Sequence, residues 1–241
     1  ESTLISEAFT HLTKRERLFV ITRSPRFASW MSGWAEVIDR FVPRRREVHP
    51  IDSSAELRRF VSTRASLVAQ KTLYGYLRTR IGMRYPEVFR EPAFAHSINI
   101  AKLHVYAACL SDLSIHAVGR ALADPRFDDE ARRALAMACL RTGLDDNAGT
   151  FVAEFSRDDA EHAHQARLAV VDWARAGSGR ESFGTSPAAL VRWAPIAPEL
   201  KRLDEGIVEN SIRFAWQEVR ADLDRRLDAD AIAAELLGRD R

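Results

Sequence analysis

The apolar residues between Pro92 and Asp124 do not keep to one side of a helix. A helix that is apolar nearly all round is normally covered by neighbouring elements. The pattern therefore predicts a central helix over residues 92–124 that other helices bury. At helical pitch its apolar residues fall on three flanks, which contain Ile98, Val105 and Cys109, then Leu103, Leu110 and Leu113, and then Ile100, Ile115 and Val118.

Helix start and stop signals divide the rest of the chain. Ser53 with Glu56 three residues later forms a capping box, and Gly82 is in the position that ends the following helix. Further start signals stand at Ser24-Pro25, Asp128, Ser156, Ser186-Pro187, Pro198 and Asp228. The pattern indicates seven or eight helices and no clear strand. It predicts the all-α class, with a compact, irregular multi-helix assembly around residues 92–124.

The last third of the chain contains a loop and a long helix. The helix that Ser156 caps is predicted to run to Ala176, and the Gly- and Ser-rich stretch 177–187 is predicted to be a flexible loop. Residues 1–241 are predicted to form one domain, with a seam at this loop if the chain divides. Pro198 opens the long helix, whose apolar side is predicted to contain Leu200, Leu203, Ile207, Ile212, Phe214, Val219 and Leu223.

The composition is that of a soluble globular protein. Of the 241 residues, 46% are hydrophobic and 29% are charged, and no apolar run is long enough for a transmembrane helix. Residues 1–20 lack the apolar core of a signal peptide. Cys109 and Cys139 lie in apolar helical patterns outside any Cys-x-x-Cys pair, which favours reduced core thiols and a cytoplasmic location. A disulfide between two helices is the alternative.

The central helix carries the residues that could form a site. Cys109, Asp112 and His116 share one face, and a carboxylate and an imidazole four residues apart can hydrogen-bond or bind a metal. No partner motif completes a ligand set, so we interpret Asp112 as the buried acceptor of a hydrogen bond from His116. Lys102 and His104 interrupt the same helix, and an unpaired buried lysine is costly. These five residues are therefore the candidates for a ligand pocket between helices.

Linear motifs for catalysis or metal binding are absent or incomplete. Glu161-x-x-His164 matches half of a di-iron bundle motif, but the chain has no second copy. Gly-x-Ser-x-Gly, the P-loop, His-Glu-x-x-His and a Gly-x-Gly-x-x-Gly after a strand do not occur. We therefore predict no metal and no cofactor, assign no catalytic residue, and leave enzymatic activity open while favouring its absence.

An aromatic, basic helix is predicted near the N-terminus, over residues 25–41. Tryptophan and arginine are typical anchors of protein interfaces, so this part favours a protein partner. The same pattern is typical of a helix at a membrane surface, of phosphate contacts along a nucleic acid, or of ordinary core packing. The candidates for partner binding are Trp30, Trp34, Arg44, Arg45 and Arg46.

The sequence favours a soluble, non-catalytic interaction or adaptor protein that binds a protein partner through its basic, aromatic N-terminal part. The missing reaction motifs support this hypothesis. The charge distribution also supports it, because basic side chains outnumber acidic ones in residues 1–90, whereas acidic side chains outnumber basic ones in the rest of the chain. One alternative is an enzyme or small-ligand-binding protein with a pocket beside the central helix. A second is a peripheral membrane or nucleic-acid binder that acts through residues 23–64, with nucleic acid the least supported partner.

Overall fold

The computed structural model describes residues 49–179 and 181–239 of the chain. It bears out the predicted all-α class, and the extended pairing among these residues is one isolated bridge between Ile51 and Leu227. The predicted helix 25–41, with Trp30 and Trp34, and the arginines Arg44, Arg45 and Arg46 lie outside the described residues. The helices are α1 Ser54–Ile81, α2 Tyr85–Val88, α3 Pro92–Ala121, α4 Asp129–Asp146, α5 Arg157–Leu168, α6 Trp173–Ala176, α7 Thr185–Trp193, α8 Pro198–Arg226 and α9 Ala229–Arg239.

Helix α3 is the buried centre that the hydrophobic pattern predicts. Side chains from all three of its flanks are buried, including Ile98, Leu110 and Val118. Helices α1, α4 and α7 pack against it along its length. The helix begins with Pro92 at its first turn and ends at Ala121, three residues before the predicted end at Asp124.

Four of the predicted helix starts are confirmed by their hydrogen bonds, whereas the start predicted at Ser186-Pro187 is wrong, because α7 begins at Thr185 and Ser186 lies inside its first turn. At each of four positions a side-chain oxygen accepts a backbone N–H from the first turn of the helix that follows. These positions are Ser53, Asp128, Ser156 and Asp228. At the other end of α1, Gly82 has a φ of 68°, which glycine adopts without steric strain.

The sequence predicts that Gly143 ends α4, but in the structure this glycine lies inside the helix. The helix continues to Asp146, and the Gly143 carbonyl accepts a hydrogen bond from the Tyr106 hydroxyl at 2.9 Å. A Cβ at this position would come within 2.8 Å of Leu110 Cδ1. The glycine is therefore a packing residue that lets α4 approach α3 closely.

The stretch that follows α5 is more ordered than its composition predicts. Helix α5 ends at Leu168, and α6 is a separate short helix whose first turn is capped by Asp172. In the predicted loop 177–187, Phe183 is buried and the backbone of Gly177 lies directly against Gly119 of α3. Two facing glycines permit this backbone contact because neither carries a side chain.

Residues Pro50–Arg241 form one compact unit, which contains the predicted seam. A single domain over residues 1–241 stays a prediction, because residues 1–48 are not described. In the part of the chain that the structure describes, no helix combines the length and the apolar character that crossing a membrane requires.

Candidate functional site

Asp112 is fully buried, and its carboxylate joins three helices. Nη1 of Arg167 on α5 lies 2.7 Å from its Oδ1. The backbone N–H groups of Thr185 and Ser186 donate to the same carboxylate at 3.3 and 2.8 Å. These two groups stand at the start of α7, where helical N–H groups have no partner of their own, so α3 caps α7 through this side chain. Burial raises the pKa of Asp112, and Arg167 with the two N–H donors opposes that shift.

The prediction that Asp112 accepts a hydrogen bond from His116 is wrong. The Nδ1 atom of His116 lies 3.2 Å from the carbonyl oxygen of Ala176, which can only accept, so we assign the ring proton to Nδ1. Asp112 and His116 are one turn apart on α3, but each of them contacts a different neighbouring helix. Asp112 faces the start of α7, whereas His116 faces the end of α6. Burial lowers the pKa of His116 to about 4.

A second buried histidine, His164, completes the network around Asp112. Its Nδ1 lies 2.9 Å from Ser111 Oγ, and Arg167 Nη1 donates to that same oxygen at 2.7 Å. The Ser111 oxygen can accept a second hydrogen bond besides the one from the guanidinium, so the ring tautomer of His164 decides which of the two side chains donates to the other. The other terminal nitrogen of Arg167, Nη2, donates to the carbonyl of Ser182 at 2.7 Å. Burial lowers the pKa of His164 to about 4.

The Ser111–His164 pair has the distance of a nucleophile and its base, but its surroundings do not suit that role. Ser111 is 6% exposed and lies in the middle of a helix, so a substrate cannot reach it without unfolding the site. Arg167 also withdraws electron density from the serine oxygen that would attack. The arrangement is suited to linking α3, α5 and α7 in the core.

The two residues of the motif Glu161-x-x-His164 have different surroundings in the structure. Glu161 pairs with Arg141 at 2.8 Å and with Arg157 at 2.9 Å on the surface, whereas His164 points into the core. Among residues 49–179 and 181–239, no three His, Cys, Asp or Glu side chains are grouped as metal ligands would be. The structure therefore explains the motif through ion pairs and core packing.

The remaining pocket candidates lie at separate places on α3. His104 stacks on Trp193 of α7, with ring centroids 3.6 Å apart and planes at 2°. Lys102 is half-buried and two residues away, which places it on the other side of the helix. Burial lowers the pKa of both Lys102 and His104. Cys109 is a free, fully buried thiol whose pKa burial raises well above its ordinary value.

Helix α8 carries large apolar side chains on two opposite faces. Its inner face packs into the core through Val208, Ile212, Trp216, Val219 and Leu223. Its outer face exposes four more, which we call the outer stripe: Leu200 at 41%, Leu203 at 76%, Ile207 at 72% and Phe214 at 66%. The prediction that these four share one apolar side with Ile212, Val219 and Leu223 is wrong. At helical pitch they lie more than a quarter turn from the inner face.

Comparisons of the chain with protein-family models, with curated proteins and with solved structures give no match. In the described part of the chain, the network around Asp112 lies in the core, whereas the outer stripe of α8 is exposed at the surface.

Proposed function

We propose that this protein is a helical interaction module that binds a partner protein through the outer stripe of α8. The observation that carries the proposal is the exposure of Leu200, Leu203, Ile207 and Phe214 on one helix face. Contiguous exposed apolar surface in a folded protein is typical of an interaction site. The other large apolar side chains that stand exposed among the described residues, Met83 and Val170, lie outside α8.

The spacing of the outer stripe suits a helical partner. Its members follow one another at intervals of three, four and seven residues, which is the repeat of helices that pack side by side. From Leu200 to Phe214 the stripe extends for about 21 Å, at 1.5 Å per residue. An amphipathic helix of about four turns would cover it, as in other complexes in which one helix docks along another.

The two candidate sites that the sequence predicts have less support from the described residues. A pocket beside α3 would use Asp112 and Cys109, but both are fully buried, and the carboxylate is already occupied by Arg167 and two backbone donors. Binding through Trp30, Trp34 and the arginines Arg44, Arg45 and Arg46 stays a prediction, since these residues are not described.

Site-specific photo-crosslinking tests the proposal. A photoreactive phenylalanine derivative replaces Ile207 in the full chain, and the matched control places it at Val170, which is 82% exposed outside α8. The proposal predicts a discrete protein adduct from position 207, either with purified protein or in native cell extract, and none from position 170. No adduct at 207 under both conditions, or equal adducts at both positions, would contradict it.

A further inference from the structure

We infer that a small oxyanion with an O–H group, such as hydrogen phosphate or hydrogen carbonate, binds between α3 and α8 at His116 and Arg220. The inference goes beyond the function proposed above and does not depend on the outer stripe. It is supported by the position of these two side chains, by their unpaired polar atoms and by the charge balance around them.

Polar side chains link α3 to α8 at two levels, once through α7 and once directly. At the first level, Trp216 Nε1 donates to Ser186 Oγ at 2.9 Å, and the Ser186 N–H donates to Asp112 at 2.8 Å. At the second, two turns further along both helices, Arg120 pairs with Asp224 at 3.0 Å. The turn of each helix that lies between these levels therefore faces the other helix as well.

His116 and Arg220 occupy this intermediate level, because each stands four residues from both linked positions on its own helix. Both side chains lie against the ring of Phe183. The ring centroids of His116 and Phe183 are 5.0 Å apart, and Cζ of Arg220 lies 6.0 Å from the Phe183 centroid. The imidazole and the guanidinium therefore share one small region beside this phenylalanine.

The intermediate level differs from the other two because its polar atoms have no partner. His116 is 1% exposed, and its Nε2 is an acceptor because the ring proton is on Nδ1. Arg220 Nε can only donate and is buried as well, and neither atom has a hydrogen bond within the described part of the chain. Buried polar groups in folded proteins are almost always hydrogen-bonded. A molecule that donates to His116 and accepts from Arg220 would satisfy both.

The charge balance favours an anion over water at this place. The charged groups that act on His116 are Arg220, Asp224 and Arg120, and the last two neutralise each other. Burial lowers the pKa of His116 to about 4, so its ring is neutral at pH 7. Arg220 is half-buried and forms no ion pair with any described residue. Its positive charge is therefore uncompensated, and arginine binds oxyanions through charge-assisted hydrogen bonds.

The histidine narrows the class of ligand further. Neutral His116 can only accept at Nε2, so the ligand has to supply a hydrogen. Hydrogen phosphate and hydrogen carbonate carry both an O–H group and a charged oxygen, whereas sulfate and an ionised carboxylate have no O–H. The rings of Phe183 and Trp216, which are buried with centroids 4.9 Å apart, limit the ligand to a few atoms.

A titration followed by NMR of the histidine rings tests the inference. The full chain, labelled with ¹⁵N in its histidines, is titrated at pH 7 and constant ionic strength with inorganic phosphate, hydrogen carbonate or sulfate. The signal of His116 Nε2 is assigned with His116→Gln. Phosphate or hydrogen carbonate should shift this signal at concentrations about tenfold lower than sulfate does, because sulfate cannot donate to the imidazole. The tighter of the two ligands identifies the source of the oxyanion.

Substitution of Arg220 tests the anchor of the anion. Arg220→Met keeps an apolar side chain but removes the donors, so it should weaken binding about tenfold or more. Arg220→Lys keeps the charge without the Nε donor and should bind with intermediate affinity. The matched control is Arg202→Met, an exposed arginine on the same helix, which should leave binding almost unchanged. Saturating anion should raise the urea midpoint of the native chain and of Arg202→Met, but not that of Arg220→Met.

Three results would overturn the inference. If neither phosphate nor hydrogen carbonate shifts the His116 signal, water alone links the two side chains. If sulfate binds as tightly as they do, His116 is not the acceptor of a ligand hydrogen. If Arg202→Met weakens binding as much as Arg220→Met, the anion is adventitious and has no specific site. None of these results bears on the outer stripe, which photo-crosslinking tests separately.

Discussion

Helices α3 and α8 are almost equally long, at 30 and 29 residues, and both carry apolar side chains on more than one face. Neighbouring helices cover α3 on all its flanks, whereas α8 packs against α1 and α7 and leaves its outer stripe exposed. Surplus apolar residues on a helix therefore mark the centre of a core in one case and an interaction surface in the other. The number of neighbours that reach the helix decides between the two.

The polar residues of the two helices differ in the same way. On α3, Asp112 and Ser111 are joined to Arg167 inside the core. On α8, acidic side chains form their ion pairs near the surface, for example Glu218 with Lys71 of α1 at 3.0 Å. Removal of one partner from a buried ion pair leaves the other charge unpaired and shielded from water, which is unfavourable. After a surface ion pair is broken, water solvates the charge that is left. The core network should therefore govern stability, and the outer stripe should govern association.

The largest effect on stability is expected at Asp112. Asp112→Ala leaves the Arg167 guanidinium and the Ser186 N–H without their acceptor, and removal of one member of a buried pair costs about 3–5 kcal/mol. Urea unfolding measures the loss. The exposed Asp158→Ala is the matched control and should change the free energy of unfolding by less than about 0.5 kcal/mol. A loss below about 1 kcal/mol for Asp112→Ala would show that the network does not hold the core together.

Acid should destabilise the fold through two histidines that are buried in its described part. The pKa of His116 and that of His164 are each lowered to about 4, against about 6.5 in an unfolded chain. The unfolded chain therefore binds more protons between these values, so stability is complete above about pH 6.5 and falls towards pH 4. Each histidine accounts for up to about 3 kcal/mol of that fall. The charged groups around them are Arg167 beside His164, and Arg120, Arg220 and Asp224 around His116.

Substitution of the histidine isolates this contribution. His164→Gln keeps an amide that can hydrogen-bond to Ser111 but cannot take up a proton, so the free energy of unfolding of this variant should fall less between pH 7 and pH 5 than that of the native chain. The exposed His162→Gln is the matched control and should retain the native slope. Equal slopes for His164→Gln and the native chain would show that His164 does not cause the acid loss.

A smaller effect is expected where α3 meets the predicted loop. A Cβ on Gly119 would lie 2.7 Å from the backbone nitrogen of Gly177, which cannot move aside as a side chain can. Gly119→Ala should therefore destabilise the protein by about 1–3 kcal/mol in urea unfolding. Gly75→Ala in α1, where nothing lies within 4 Å, should instead stabilise it by up to about 1 kcal/mol. If both variants changed the free energy of unfolding in the same direction, the close backbone contact between Gly119 and Gly177 would be contradicted.

The smallest effect on stability is expected at the outer stripe. Leu203→Glu with Ile207→Glu replaces side chains that are already exposed, so the free energy of unfolding of the isolated protein should change by less than about 0.5 kcal/mol. A loss of several kcal/mol in urea unfolding would show that these residues belong to the core.

Local signals in the sequence were sufficient for most of the helices and for four of their starts, but not for the break between α5 and α6. Ser53, Asp128 and Ser156 cap helices because the chemistry of a cap involves residues only three positions apart. The all-round apolar pattern of 92–124 likewise identifies a buried helix without knowledge of its neighbours. Gly143 misled the prediction because a helix-ending glycine and a packing glycine look alike in sequence.

The candidate site could not be predicted to the same extent. The pairing of Asp112 with Arg167 and Ser186 joins residues more than fifty positions apart, and no local periodicity encodes such contacts. The polar residues Asp112 and His116 in an otherwise apolar helix indicated that α3 contains buried polar groups. The sequence did not indicate which residues they contact. The outer stripe was missed because apolar spacing alone does not say whether a second face has a helix to cover it.

The central claim is that the outer stripe of α8 binds a partner protein while α3 forms the core. Photo-crosslinking from position 207 of the full chain tests it most directly, with the photoreactive residue at position 170 as the matched control. We expect a discrete protein adduct from position 207, its loss when Leu203→Glu is added, and no adduct from position 170. No adduct from position 207, or equal adducts from both positions, would contradict the account.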